Sequence, residues 1–127
     1  MIVVDTSALM AIVLDEALAE ACSAVLESAG ATSMSAGTLA EALIVAGWRG
    51  VAREVETLVR GLGIEVVPAT GASARRVANA YSRWGKGAHP AGLNFGDCFA
   101  YALAEERACE LLFVGRDFSR TGIASCL

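Results

Sequence analysis

Short apolar runs alternate with longer helical stretches along this chain, and that alternation most limits what it can fold into. Ile2 to Val4, Ala31 to Met34, Ile64 to Val67 and Leu111 to Val114 read as strands. Between them, Ser7 to Leu14 and Glu16 to Ala29 read as helices joined near Asp15, and Ala36 to Trp48 as a third. Gly50 restarts a helix through Arg60 that Gly61 and Gly63 end, and Pro68 closes the strand after it. Ala72 to Trp84 is helical by the spacing of Val77, Ala80, Tyr81 and Trp84. Gly85 to Gly92 is a loop, and Asn94 caps a helix running to about Ala108. Apolar strands interleaved with helices imply an α/β fold whose parallel sheet is covered on both faces. At 127 residues the expectation is one domain over residues 1–127, able to fold without a disulfide or structural metal.

Composition removes several classes. With 55% hydrophobic and 19% charged residues the chain is no disordered segment. No stretch reaches the ~18 consecutive apolar residues of a membrane span. Asp5 arrives too early for a secretory leader, so a cytoplasmic protein is expected. Cys22, Cys98, Cys109 and Cys126 form no C-x-x-C pair and lie far from His89, the single histidine, so they read as reduced thiols. A net charge of −4 argues against coating nucleic acid by bulk positive charge, but not against a nuclease with local cations.

The acidic residues are more informative. Of four aspartates, Asp5 follows the first strand and Asp117 the last. Ligand sites in a parallel sheet lie beyond the carboxyl ends of its strands, which puts both carboxylates at one edge. Glu41 is the only charged residue between Ala36 and Trp48, a stretch so apolar that it reads as a buried helix. Asp97 stands alone in Asn94-Phe95-Gly96-Asp97-Cys98-Phe99. Helix capping would account for Asp5 or Asp117 singly, and an Asn94–Asp97 capping box for Asp97. Capping does not account for Glu41, which lies mid-helix. A shared pocket accounts for all four.

Clustered carboxylates repel one another unless a cation neutralises them. With oxygen donors only, the expected occupant is Mg²⁺ or Mn²⁺ rather than zinc. Such a site activates water and stabilises charge in phosphodiester hydrolysis, so the residues point to a metal-dependent phosphoryl-group hydrolase.

Val3-Val4-Asp5-Thr6-Ser7-Ala8-Leu9, Ala40-Glu41-Ala42, Leu93-Asn94-Phe95-Gly96-Asp97-Cys98 and Phe113-Val114-Gly115-Arg116-Asp117-Phe118 together resemble the PIN-domain ribonucleases, and most of all the VapC-type toxins of bacterial toxin–antitoxin pairs. The resemblance spans essentially the whole chain. It implies a three-layer α/β/α fold around a parallel sheet of four to five strands. It also implies Mg²⁺- or Mn²⁺-dependent RNA cleavage, a homodimer, and inhibition by a VapB-type antitoxin. Asp5, Glu41, Asp97 and Asp117 match the family's acidic quartet, and Thr6 or Ser7 matches the hydroxyl supporting the first aspartate. Gly122 stands where relatives often carry a further acid, which bears on a second metal.

Arg83, Lys86, His89 and Arg116 are candidates for holding RNA phosphates, or else solvated loop charges. Trp48, Tyr81 and Trp84 read as core or interface aromatics. A haloacid-dehalogenase-like phosphatase needs a second aspartate two residues after the first, where this chain has Ser7, and is rejected. The remaining alternative is a degenerate PIN-like module that binds a protein or RNA without cleaving.

Overall fold

In the computed structural model, which describes residues 1–127, the chain runs β1 (Ile2–Val4), α1 (Thr6–Val13), α2 (Ala19–Ser28), β2 (Thr32–Ser35), α3 (Ala36–Trp48), α4 (Ala52–Gly61), β3 (Glu65–Val67), α5 (Gly71–Trp84), α6 (Phe95–Arg107) and β4 (Glu110–Leu112). All strand pairs are parallel, in the order β3-β2-β1-β4. Ile2 lies between Thr32 and Glu110, and Met34 pairs with Val66. A fifth strand is reduced to an isolated bridge between Leu111 and Ser125.

The pleat sorts the apolar side chains into two layers. Ile2, Val4, Met34 and Leu112 face one core with α1 to α4, closed by Leu9, Cys22, Val55 and Ile64. Val3 and Leu111 face the other with α5 and α6, closed by Val77, Leu93, Tyr101 and Phe118. This is the expected three-layer arrangement, with four strands. No helix is long and apolar enough to cross a membrane. All four cysteines are free thiols, Cys22 and Cys98 fully buried and Cys109 and Cys126 partly so.

Three expectations need correction. The second helix begins at Ala19 rather than Glu16, because the Glu16 N–H turns back to the Ala11 carbonyl at 2.9 Å to close α1, and Glu16 to Ala19 form a separate turn. The last strand ends at Leu112 rather than Val114, whose N–H leaves the ladder and binds the Ser7 hydroxyl at 3.0 Å. Helix α3 is not buried all round: Thr38, Ala42 and Ala46 face the core, whereas Ile44 is 56% and Trp48 80% exposed. Its second apolar face borders a groove of about 470 Å³ lined in part by Phe95 and Phe99 of α6.

Candidate active site

From β1 the chain steps outward through β2 to β3, then returns to place β4 on the other side of β1. Strand order therefore reverses between β1 and β4, and the crevice beyond their carboxyl ends is where such sheets bind ligands. Asp5 leaves β1 directly into this crevice. Asp117 reaches it on the turn after β4, held by buried Phe118, whose ring packs on Phe113 at 5.1 Å.

Asp5 is 4% exposed and caps α1: its Oδ2 accepts the Ser7 N–H at 3.1 Å and the Ser7 hydroxyl at 2.6 Å. Its Oδ1 is buried with no partner. Burial pushes the Asp5 carboxyl up to about 6; the two Ser7 bonds oppose this, and Glu41 adds to it by repulsion.

Asp97 is 7% exposed and completes a capping box at the start of α6. Its Oδ2 accepts the Asn94 N–H at 3.0 Å, and Asn94 Oδ1 accepts its N–H at 2.8 Å. Burial pushes this carboxyl up to about 7 against the Asn94 bond, and Asp5, Asp117 and Glu41 all raise it further. The capping reading of Asp5 and Asp97 is thus correct in geometry, and it does not compete with the pocket, because each cap occupies only one carboxylate oxygen. Asp117, by contrast, is exposed and starts no helix.

Glu41 enters from α3, half-buried, with its Oε1 accepting the Thr6 hydroxyl at 2.7 Å. The two neighbouring hydroxyls therefore divide the work: Ser7 holds Asp5 and Thr6 holds Glu41. Oε2 of Glu41 lies against Gly96, whose lack of a side chain leaves the room. Gly96 and its counterpart Gly37, which makes way for the Phe99 ring, are close approaches that the sequence did not signal. Gly122 adopts φ 80°, the left-handed region that glycine enters without cost, which explains glycine at that position.

The candidate RNA contacts divide. Arg83 binds Glu105 at 3.1 Å and lies over the Trp84 ring, so its guanidinium ties α5 to α6. His89 packs edge-on against Trp84 at 4.7 Å and accepts the Ala91 N–H on Nδ1 at 3.0 Å, which closes the Gly-rich loop. Lys86 and Arg116 are exposed and form no ion pair.

A hard divalent cation fits this donor set in its chemistry: oxygen ligands only, one of them a buried Asp5 oxygen with no other partner. No three of the acidic side chains form a ready-made cage for an ion.

The PIN domain family matches residues 2–124. Ribonuclease VapC28 of Mycobacterium tuberculosis is 40% identical over 129 residues, covering 98% of this chain and 97% of the relative. Among solved structures, M. tuberculosis VapC20, described as a sarcin–ricin loop cleaving toxin, superposes with a TM-score of 0.80 at 18% identity over 98% of this chain and 97% of that one. A toxin–antitoxin complex from Klebsiella pneumoniae gives a TM-score of 0.70 at 14% identity over 96% of this chain and 93% of that one. By the family match over residues 2–124 and the 40% identity to VapC28 across almost the whole of both chains, the chain belongs to the PIN-domain family, among the VapC ribonucleases.

Proposed function

We propose that the protein is an endoribonuclease toxin that hydrolyses RNA phosphodiester bonds with Mg²⁺ or Mn²⁺ held by Asp5, Glu41, Asp97 and Asp117. The observation that carries this reading is a pair of buried carboxylates, Asp5 and Asp97, one Asp5 oxygen being without a partner, with Glu41 and Asp117 near enough to repel the Asp97 charge. The metal, when bound, supplies charge neutralisation and an acidified water. The protein's own groups do the rest. Ser7 fixes Asp5, Thr6 fixes Glu41, and the Asn94 cap fixes Asp97 at the head of α6. Of the four candidate RNA contacts, Lys86 and Arg116 are exposed and unpaired and so available to RNA phosphates, and Arg83 and His89 shape the loop between α5 and α6.

A VapB-type antitoxin and a homodimer belong to the same reading, as does a single domain working in the cytoplasm, where the four thiols stay reduced. Exposed Ile44, Trp48 and Phe95 supply apolar surface for a protein partner to cover.

The test is RNA cleavage by metal-stripped protein with Mn²⁺ or Mg²⁺ restored, beside Asp97→Asn. Cleavage that returns with metal in wild type alone supports the proposal. Cleavage in chelator overturns the metal mechanism, and RNA binding without cleavage in either metal supports the degenerate binding module instead. Inhibition by one equivalent of the cognate antitoxin tests the partner.

A further inference from the structure

Gly96 stands one residue before Asp97, where α6 crosses α3. A Cβ built on Gly96 falls onto the Glu41 carboxylate, whose three atoms are its nearest neighbours from elsewhere in the fold. The obstacle is the far end of a flexible side chain, so the fold can accept the methyl by letting the carboxylate swing away. From the opposite side the same carboxylate is held by the Thr6 hydroxyl, 2.7 Å from Oε1. That hydroxyl also lies 3.2 Å from the Thr38 carbonyl, but it has one proton, and the anionic acceptor is the nearer. Glu41 is thus confined between a donor on α1 and bare backbone on α6.

Gly37 provides the internal contrast. Its missing Cβ makes room for the Phe99 ring, a bulky apolar body rather than the end of a flexible charged chain. One glycine of the crossing admits bulk, and the other admits a charge.

We propose that Gly96 and Thr6 are positioning residues that hold the Glu41 carboxylate beside Asp97, and that the missing side chain at 96 serves cation binding rather than folding. The proposal rests on the reading of the carboxylates as a metal site. Glycine inside a helix is otherwise a liability, since alanine is the better helix former. Stability and metal affinity should therefore move in opposite directions when a methyl is added.

The experiment uses the full chain, with three readouts: the melting temperature of metal-free protein, Mn²⁺ affinity by calorimetry, and RNA cleavage. Gly96→Ala should melt at or above wild type, yet bind Mn²⁺ about ten-fold more weakly or worse, the usual scale for disturbing a ligand's support. Thr6→Val should weaken Mn²⁺ binding similarly, and Thr6→Ser should restore it. Because Gly96 acts through Glu41, adding Gly96→Ala to Glu41→Gln should alter Mn²⁺ affinity less than about two-fold. Wild-type Mn²⁺ affinity in Gly96→Ala overturns the proposal, and so does a metal-free melting temperature that falls in step with it, which marks a packing role. If wild type itself takes up no Mn²⁺, the metal reading fails and the proposal with it, a result visible before any variant is made.

Discussion

Ser7 donates twice to one oxygen of Asp5, from its backbone N–H and from its hydroxyl, and leaves the other oxygen buried and unpartnered. An N-cap needs only one side-chain oxygen, so Asp5 starts α1 and still keeps a second oxygen uncommitted. The same Ser7 hydroxyl accepts the Val114 N–H, which joins the exit from β4 to the start of α1. Ser7→Ala removes the donor and strands that N–H. We expect the substitution to cost about 1–3 kcal/mol, the penalty of an unmade buried hydrogen bond. Chemical denaturation checks it.

Asp97→Asn separates capping from catalysis. The amide oxygen can still accept the Asn94 N–H, so the capping box survives while the charge is lost. Melting temperature should hold or rise, and RNA cleavage should fall about a hundred-fold or more, or roughly 3 kcal/mol of transition-state stabilisation. Asn94→Ala should do the reverse to stability, lowering it by about 1 kcal/mol through loss of the cap. Thermal scans and a cleavage assay on the pair distinguish the two roles.

The raised carboxyls fix the sign of a pH effect. Asp5 titrates near 6 and Asp97 near 7 in the fold, against about 3.8 for an ordinary aspartate. Between those limits the native state holds more protons than the unfolded one, so stability falls as pH rises. Metal-free protein should therefore lose stability from about pH 4 to pH 7 and level off above it. Mn²⁺ binds the ionised carboxylates, so its affinity should climb through the same window and offset the loss. Melting temperatures across pH, with and without Mn²⁺, show whether the two curves diverge in this way.

What the sequence conveyed and what it withheld follow from the range of the interactions involved. Helix α3 was legible to the residue, because its run is uninterrupted and begins after a serine that caps it. Its exposed face was not, since an apolar residue looks the same whether the core or a partner chain covers it. The acidic residues were legible as lone charges in apolar surroundings. The division of labour between Thr6 and Ser7 was not: adjacent helical positions point about 100° apart, and only the placement of α3 decides which one meets Glu41. Arg83 looked free because its partner Glu105 lies 22 residues away. Gly37 and Gly96 gave no signal, because a glycine in sequence does not say what approaches it.

Gly37→Ala should destabilise, unlike a methyl placed at Gly96. The new Cβ meets the Phe99 ring, whose own partner Phe95 sits 5.0 Å away edge-on. Overpacking of this kind costs about 1–3 kcal/mol. A melting temperature equal to wild type would mean that the ring finds another seat at no cost.

Glu41→Gln examines the acid that capping cannot explain. The amide oxygen can keep the Thr6 hydroxyl bond, so α1 and α3 should stay joined as they are. Removing the charge also relieves its repulsion on Asp5 and Asp97, and metal-free protein should be as stable as wild type or more so. Mn²⁺ at a hundred times its dissociation constant should stabilise wild type by about 2.7 kcal/mol, a shift on the order of 10 °C in a domain of this size. The variant should move far less at the same concentration, because one of its oxygen donors is now neutral and carries an amide nitrogen beside it. Equal shifts in the two proteins would remove Glu41 from the ligand set while leaving Asp5 and Asp97 in it. No shift in either would remove the metal site altogether.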